Sequence, residues 1–355
     1  MERFYSLVCN RVIIGNNARV FTDYHQGSLI IINHDYPSRV KKGMDKLPLT
    51  PIRDLLSRKE KEECLLLNEA GRVYTTYHYY SKGLWIVLKL PPIRGISVSS
   101  TNALATTETG LIYGRGENKS SQIAERWRFS DTGHYWLRLE KGLYINSRLR
   151  SIEYCRSYTI PSYSLTRSEA KIPVRKALAG KGYWVSLDNN GYIYLSGETE
   201  VVSKGRLCST LPYKNMLACN PQAPVWCLPL LKDIAVREEH ILALTLDHKL
   251  LVIGNNDRGQ LGNKIKRSRQ WRYSSVPQSK LVKTSESCSA LITTKGEVYY
   301  TPLGTPTEED LIYGAVEETW TKIEGVEAVS DLVIGENELF FVHDDGSLSS
   351  YDLDN

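Results

Sequence analysis

The sequence predicts an all-β protein built from one small unit repeated along the chain. Three observations predict it. The segment Ile234–Gly262 is a complete unit that closes on Asn-Asn-Asp-Arg-Gly-Gln-Leu-Gly at 255–262. Weaker copies in the same order recur along the chain. The turn residues that mark those copies (Gly71, Gly110, Gly191, His248, Gly296, Gly346) are spaced about 39, 81, 57, 48 and 50 residues apart, and a period near 50 is the mark of a repeat architecture.

Within the unit, Ile234 and Val236 form an apolar lead-in and Arg237-Glu238-Glu239 a polar kink. His240–Leu244 reads as a strand, Thr245–His248 as a turn, and Lys249–Ile253 as a second strand before the glycine-rich loop. Other copies are Glu63–Gly83, Ile96–Asn118, Ala179–Glu198, Leu281–Gly304 and Val326 to the end, with a fainter one at Leu7–Gly27 turning at Asn16-Asn17. Their turns pair Asp, Asn or Lys with Gly, which supplies the positive φ of a tight hairpin. His248 stands where the other good copies have Gly, so a different turn is expected there. The 81-residue interval is either one unit with a long insertion or two units, one of them decayed.

The run Ala243–Gly262 resembles the repeat core of the regulator of chromosome condensation family. The remaining copies keep the strand–turn–strand core and often lose the Gly-Gln-Leu-Gly tail. The resemblance implies a seven-bladed β-propeller of four-stranded blades, all-β, occupying residues 1–355 as one domain. The N- and C-terminal strands are expected to close one blade, with Val333–Leu348 beside Phe4–Ile14, because closure removes an exposed edge. No Gly-Gly pair marks a kelch propeller and no Trp-Asp pair marks WD repeats.

Net charge is +5, short of the excess expected of a chain that wraps nucleic acid. No apolar run approaches the ~18 residues of a transmembrane helix, and Met1–Ile13 lacks a signal-peptide pattern. The seven cysteines are scattered without a Cys-x-x-Cys pair. They read as reduced thiols of an intracellular protein, cytoplasmic or nuclear. Cys208, Cys219 and Cys227 fit no zinc spacing, and no metal or cofactor is expected.

Three insertions are expected between repeats, at 35–62, 119–175 and 198–229. The first carries a candidate short helix at Pro51–Lys61, with Ile52, Leu55 and Leu56 on one face. Two aromatic-basic clusters are candidate partner-binding sites. One is Arg126-Trp127-Arg128 in the second insertion. The other follows the best repeat directly and comprises Lys264, Lys266, Arg267, Arg269, Trp271 and Arg272, read as a loop that ends at Tyr273. Arg and Trp are enriched at interfaces, and closely set cations also suit phosphates. The simpler reading of Trp271 is packing between repeats, as for Trp85, Trp226 and Trp320.

Nucleophile-elbow, phosphate-loop and paired-histidine motifs are all missing from the sequence, so no catalytic residue is assigned. The expected function is a non-catalytic scaffold that binds a protein partner with its loops. The resemblance implies an alternative, guanine-nucleotide exchange on a small Ran-like GTPase, which works by binding the nucleotide-free form better. Nucleic-acid binding through Lys264–Arg272 ranks third.

Overall fold

A computed structural model describes residues 11–15, 18–22, 29–31, 52–58, 63–75, 86–117, 137–139, 174–197, 228–302, 319–334 and 338–353. Its strands form antiparallel meanders in chain order. They are β1 (Arg11–Gly15), β2 (Ala18–Thr22) and β3 (Leu29–Ile31); β4 (Ile52–Arg58), β5 (Glu63–Asn68), β6 (Val73–Thr75) and β7 (Ile86–Val87); β8 (Ile93–Val98), β9 (Asn102–Thr107), β10 (Ile112–Gly116) and β11 (Leu137–Leu139). There follow β12 (Val174–Gly180), β13 (Tyr183–Asp188) and β14 (Ile193–Gly197); β15 (Leu231–Arg237), β16 (His240–Thr245), β17 (Leu250–Asn255) and β18 (Arg267–Tyr273); β19 (Ser279–Thr284), β20 (Ser289–Thr293), β21 (Val298–Tyr300) and β22 (Thr321–Lys322); and β23 (Val329–Ile334), β24 (Glu338–His343) and β25 (Leu348–Asp352).

The sheets form a ring. The first strand of each touches the first strand of the next, in the order β1, β4, β8, β12, β15, β19, β23, and β23 returns to β1. These first strands are therefore innermost. The molecule is an all-β propeller.

Burial explains why its middle strands read as unbroken apolar runs. In β16, Ile241 and Ala243 pack with Tyr183, Val185 and Leu187 of the preceding sheet. Leu242 and Leu244, one residue out of phase, pack with Val282 and Leu291 of the following sheet. Alternate side chains leave opposite faces of a strand, and a sheet sandwiched on both sides must be apolar on both.

The turns after the second strands stitch neighbouring sheets together. Asn68, Thr107, Asp188, Thr245 and Thr293 each accept the backbone N–H four residues on through a side-chain oxygen, at 2.7–3.1 Å. Those five side chains are buried, so a local bond satisfies each. Three residues further, the turn carbonyl accepts the first N–H of the next sheet: Gly71 from Ile93 (2.9 Å), Gly191 from Leu231 (2.8 Å) and His248 from Ser279 (2.9 Å).

His248 makes this same turn, contrary to the different one expected. Its φ is 66°, matching the positive φ at Gly71, Gly191 and Gly296. The other departures concern the insertions. Ile52–Arg58 is strand β4 rather than a helix, since Leu55 and Leu56 pair with Leu66 and Leu65 of β5. Gly110 and Gly191 lie in consecutive sheets, so the long interval holds one insertion, which itself supplies the outer strand β11. Residues 198–227, with Cys208, Cys219 and Cys227, lie outside the described residues. So do residues 1–10, on which the expected shared terminal blade depends. Among the described strands β1 and β25 belong to different sheets, and β1 lies against β23 and β24.

Candidate functional site

The meander gives the ring two faces. First strands begin, and the stitched turns lie, on what is here termed the hairpin face. First-to-second strand turns and third-to-fourth strand loops lie on the opposite face.

The best-preserved repeat loop, 255–262, is on the opposite face and is structural. Asn256 is fully buried; its Nδ2 donates to the carbonyls of Asn263 (2.6 Å) and Ile265 (2.7 Å), and its Oδ1 accepts from Leu261 N (2.6 Å). Ser289 of the next sheet donates to the Gln260 carbonyl at 2.7 Å. Gly254, Gly259 and Gly262 all have positive φ, 118°, 79° and 70°. On the same face Glu238 accepts from Ser100 N at 2.9 Å and from its hydroxyl, while the Glu238 carbonyl accepts from Lys181 N at 2.8 Å. One turn thus ties three sheets.

The predicted Lys264–Arg272 loop is mostly strand. Arg267–Tyr273 is β18, which pairs with β17 from Asn255↔Arg267 to Leu251↔Tyr273 and therefore runs from the opposite face to the hairpin face. Its residues differ in what they meet. Arg267 pairs with Glu239 at 3.3 Å, and Glu239 also meets Lys181 at 3.3 Å. Trp271 packs onto the core between the β12 and β15 sheets, as the simpler reading expected. Lys266, Arg272 and Tyr273 are exposed. Arg126-Trp127-Arg128 lies outside the described residues.

The hairpin end of the β15–β18 sheet carries an apolar cluster that the sequence reading did not isolate. Among the described residues the exposed large hydrophobic side chains are Val87, Leu230, Leu246 and Tyr273. The last three share this one end: Leu230 leads into β15, Leu246 lies in the β16–β17 turn, and Tyr273 ends β18. Leu246 N donates to the Leu230 carbonyl at 3.0 Å, fixing the two leucines side by side. The exposed pair Lys249–Asp247, at 2.9 Å, sits beside them.

A second feature lies just before the repeat starts Ile96, Ala179, Ile234 and Leu281, and so outside the repeats as the sequence delimits them. In six of the first strands the register slips by one residue at the second position, leaving Arg53, Arg94, Arg175, Lys232, Lys280 and Ser330 as bulge residues. A bulge frees its extra residue from the ladder and re-aims its side chain. Five of those six are cations, all on innermost strands at the hairpin face. Arg53 is neutralised by Glu69 at 3.2 Å. Arg94 instead donates to the Val174 carbonyl, and Arg175 to the Lys232 carbonyl, so consecutive guanidiniums reach from one bulge to the next. Burial and the neighbouring Arg175 charge hold the Arg94 guanidinium below its usual pKa. Two of the carboxylates one position on are taken by other lysines, Asp233 by Lys176 (2.7 Å) and Asp331 by Lys283 (3.5 Å). The net result is a basic mouth.

Chemistry at the described titratable groups is muted. Burial, with Arg237 nearby, lowers His240 to about 3, and its Nε2 bonds Thr284 Oγ1 at 2.5 Å. Burial raises Cys288 to about 11. Both are neutral near pH 7, so His240 is a poor base and Cys288 a poor nucleophile.

No family model and no curated relative matches the chain. Solved structures do. Yeast RCC1 (Prp20), in its complex with Kap60, is 14% identical with a TM-score of 0.59, covering 99% of this chain and 84% of that one. Human WBSCR16 is 14% identical with a TM-score of 0.55, covering 82% and 74%. Prp20p from Saccharomyces cerevisiae, in a structure described with its binding properties to Gsp1p and histones, is 18% identical with a TM-score of 0.53, covering 82% and 69%. The fold is a β-propeller of the RCC1 type. At these identities the likeness concerns the fold, and it agrees with the family resemblance of the Ala243–Gly262 repeat. Among the described residues no helix is long and apolar enough to cross a membrane.

Proposed function

We propose that the chain is a seven-bladed propeller scaffold whose hairpin face binds a protein partner. One observation carries this reading: Leu230, Leu246 and Tyr273 are gathered at one end of one sheet. Aromatic and aliphatic groups held exposed on a rigid frame, with cations around them, are what interface anchors consist of. Arg272, beside Tyr273 on β18, extends the surface along the outer strand, and Lys266 lies just before that strand toward the opposite face; Arg269 is carried as a further contact. Lys264 and Arg126-Trp127-Arg128 are carried as further contacts. In this reading each sheet of the ring is a blade, and the N- and C-terminal strands close one blade. The buried thiol of Cys288 suits an intracellular setting, cytoplasmic or nuclear.

Affinity capture from the native host, comparing wild type with Leu246→Ser/Tyr273→Ser, tests the reading. The expected result is loss of one dominant partner with an unchanged melting temperature. Full retention of every partner by the folded variant overturns it.

A second reading, guanine-nucleotide exchange on a Ran-like GTPase, is supported by the fold shared with Prp20p, which is described with binding properties to Gsp1p. Accelerated release of a fluorescent GDP analogue from a Ran-type GTPase would establish it. Nucleic-acid binding through β18 is the weakest reading, since Arg267 is engaged by Glu239 and Trp271 is packed in the core.

A further inference from the structure

We infer that the basic mouth formed by the bulge residues Arg94, Arg175, Lys232 and Lys280 receives an acidic peptide segment of the partner, whose carboxylates meet these cations while an apolar side chain seats on Leu230 and Leu246. The inference rests on the reading of the hairpin face as the partner-binding face.

The geometry supplies the argument. The four residues occupy the same bulged position on consecutive innermost strands, β8, β12, β15 and β19, each of which touches the next. They are therefore set along an arc at the mouth of the ring. Carbonyls, not carboxylates, receive Arg94 and Arg175, and carbonyls leave the positive charge uncompensated. No carboxylate among the described residues pairs with any of the four. Two of the acids beside bulge residues are committed to other lysines, Asp233 to Lys176 and Asp331 to Lys283. Like charges held together in this way repel one another and create a potential that an anionic partner relieves.

The surroundings select the class of anion. Lys232 follows Leu231 and the exposed Leu230, and Leu246 N is bonded to the Leu230 carbonyl, so the exposed leucines adjoin the arc. The cluster's aromatic, Tyr273, ends the outer strand β18, so the groups beside the arc are the two leucines, which offer no stacking platform for the bases of single-stranded nucleic acid. They do offer an anchor site for a Leu- or Met-type side chain. An arc of cations beside an aliphatic step fits a peptide that alternates acidic and apolar residues.

The test is fluorescence anisotropy of a labelled peptide of repeating Glu-Glu-Leu titrated with the full-length protein, with a Gln-Gln-Leu peptide as control. The Glu peptide is expected to bind, more weakly as salt rises, and the Gln peptide not to bind. Lys232→Glu/Lys280→Glu should weaken binding at least about tenfold, because each lost contact becomes a repulsion. Among the described residues these lysines have no side-chain partner to lose, so the variant should melt with wild type; adding Arg175→Gln extends the series where folding allows. Leu246→Ser/Tyr273→Ser should weaken the peptide yet leave its salt dependence. Equal binding of the Glu peptide to wild type and to the folded double-Glu variant overturns the inference. So does equal binding of both peptides, or tighter binding of oligo-dT than of the Glu peptide at the same residues. Those results leave the Leu246/Tyr273 capture experiment unaffected, so the two proposals fail separately.

Discussion

The indole of Trp320 lies against Gly262, so close that a Cβ on Gly262 would fall 1.9 Å from Trp320 Nε1. Trp320 stands just before β22, and the neighbouring Thr319 N donates to the Gly262 carbonyl at 2.9 Å, so the close of one repeat docks onto the next sheet. Gly262 also has a φ of 70°. Gly262→Ala therefore meets both backbone strain and overpacking, and should cost about 2–4 kcal/mol by denaturant unfolding. Gly325→Ala is the control: φ is 74° but nothing lies within 4 Å of its Cβ position, so it should lose only about 1–2 kcal/mol. Equal losses would show that the Trp320 contact is easily rearranged.

At the β16–β17 turn, His248 bears the left-handed conformation that Gly bears elsewhere, and its Nδ1 lies 2.9 Å from the Ser279 carbonyl. His248→Ala keeps the strain and loses that contact. His248→Gly loses the contact but relieves the strain. The Gly variant should be about 1 kcal/mol more stable than the Ala variant, measured by urea midpoints at equal slope.

His240 makes stability sensitive to acid. Its folded pKa, about 3, lies below the ordinary imidazole value of 6.5, so the unfolded chain binds the proton more readily. The contribution is whole above pH 6.5 and is lost as pH falls toward about 3, by about 1.4 kcal/mol for each unit crossed. His240→Gln should flatten the limb of the melting-temperature profile between those limits. An unchanged limb would assign acid sensitivity to other groups.

Charge reversal at and just before β18 should split by position. Lys266→Glu and Arg272→Glu change exposed side chains and should leave the melting temperature nearly unaltered. Arg267→Glu sets a carboxylate against Glu239 and should cost about 1 kcal/mol, kept small because both side chains are about a third exposed. Raising salt should narrow that gap.

Much of this protein was legible in residues near one another. The turns were fixed by Gly71, Gly191, Gly296 and Gly346, since few residues accept positive φ, and the middle strands by runs such as Leu65–Leu67 and Leu250–Ile253. The repeat order, and hence the kind of fold, followed from those local signals. What the sequence left open depended on residues far apart. Pro51–Lys61 reads as a short helix with one apolar face until β5 pairs with its Ile52–Arg58 segment. Arg267 reads as a free cation until the fold brings up Glu239, and Leu230 and Leu246 become a patch only when neither finds an inward face. Arg94, Arg175, Lys232 and Lys280 are unremarkable singly, separated by tens of residues of sequence. Closing the ring puts their strands side by side, and a bulge repeated at one register makes scattered cations a single mouth. Local preference sets the conformation of each unit, while the electrostatic and apolar character of a face depends on which units become neighbours, and that is decided only when packing closes the ring.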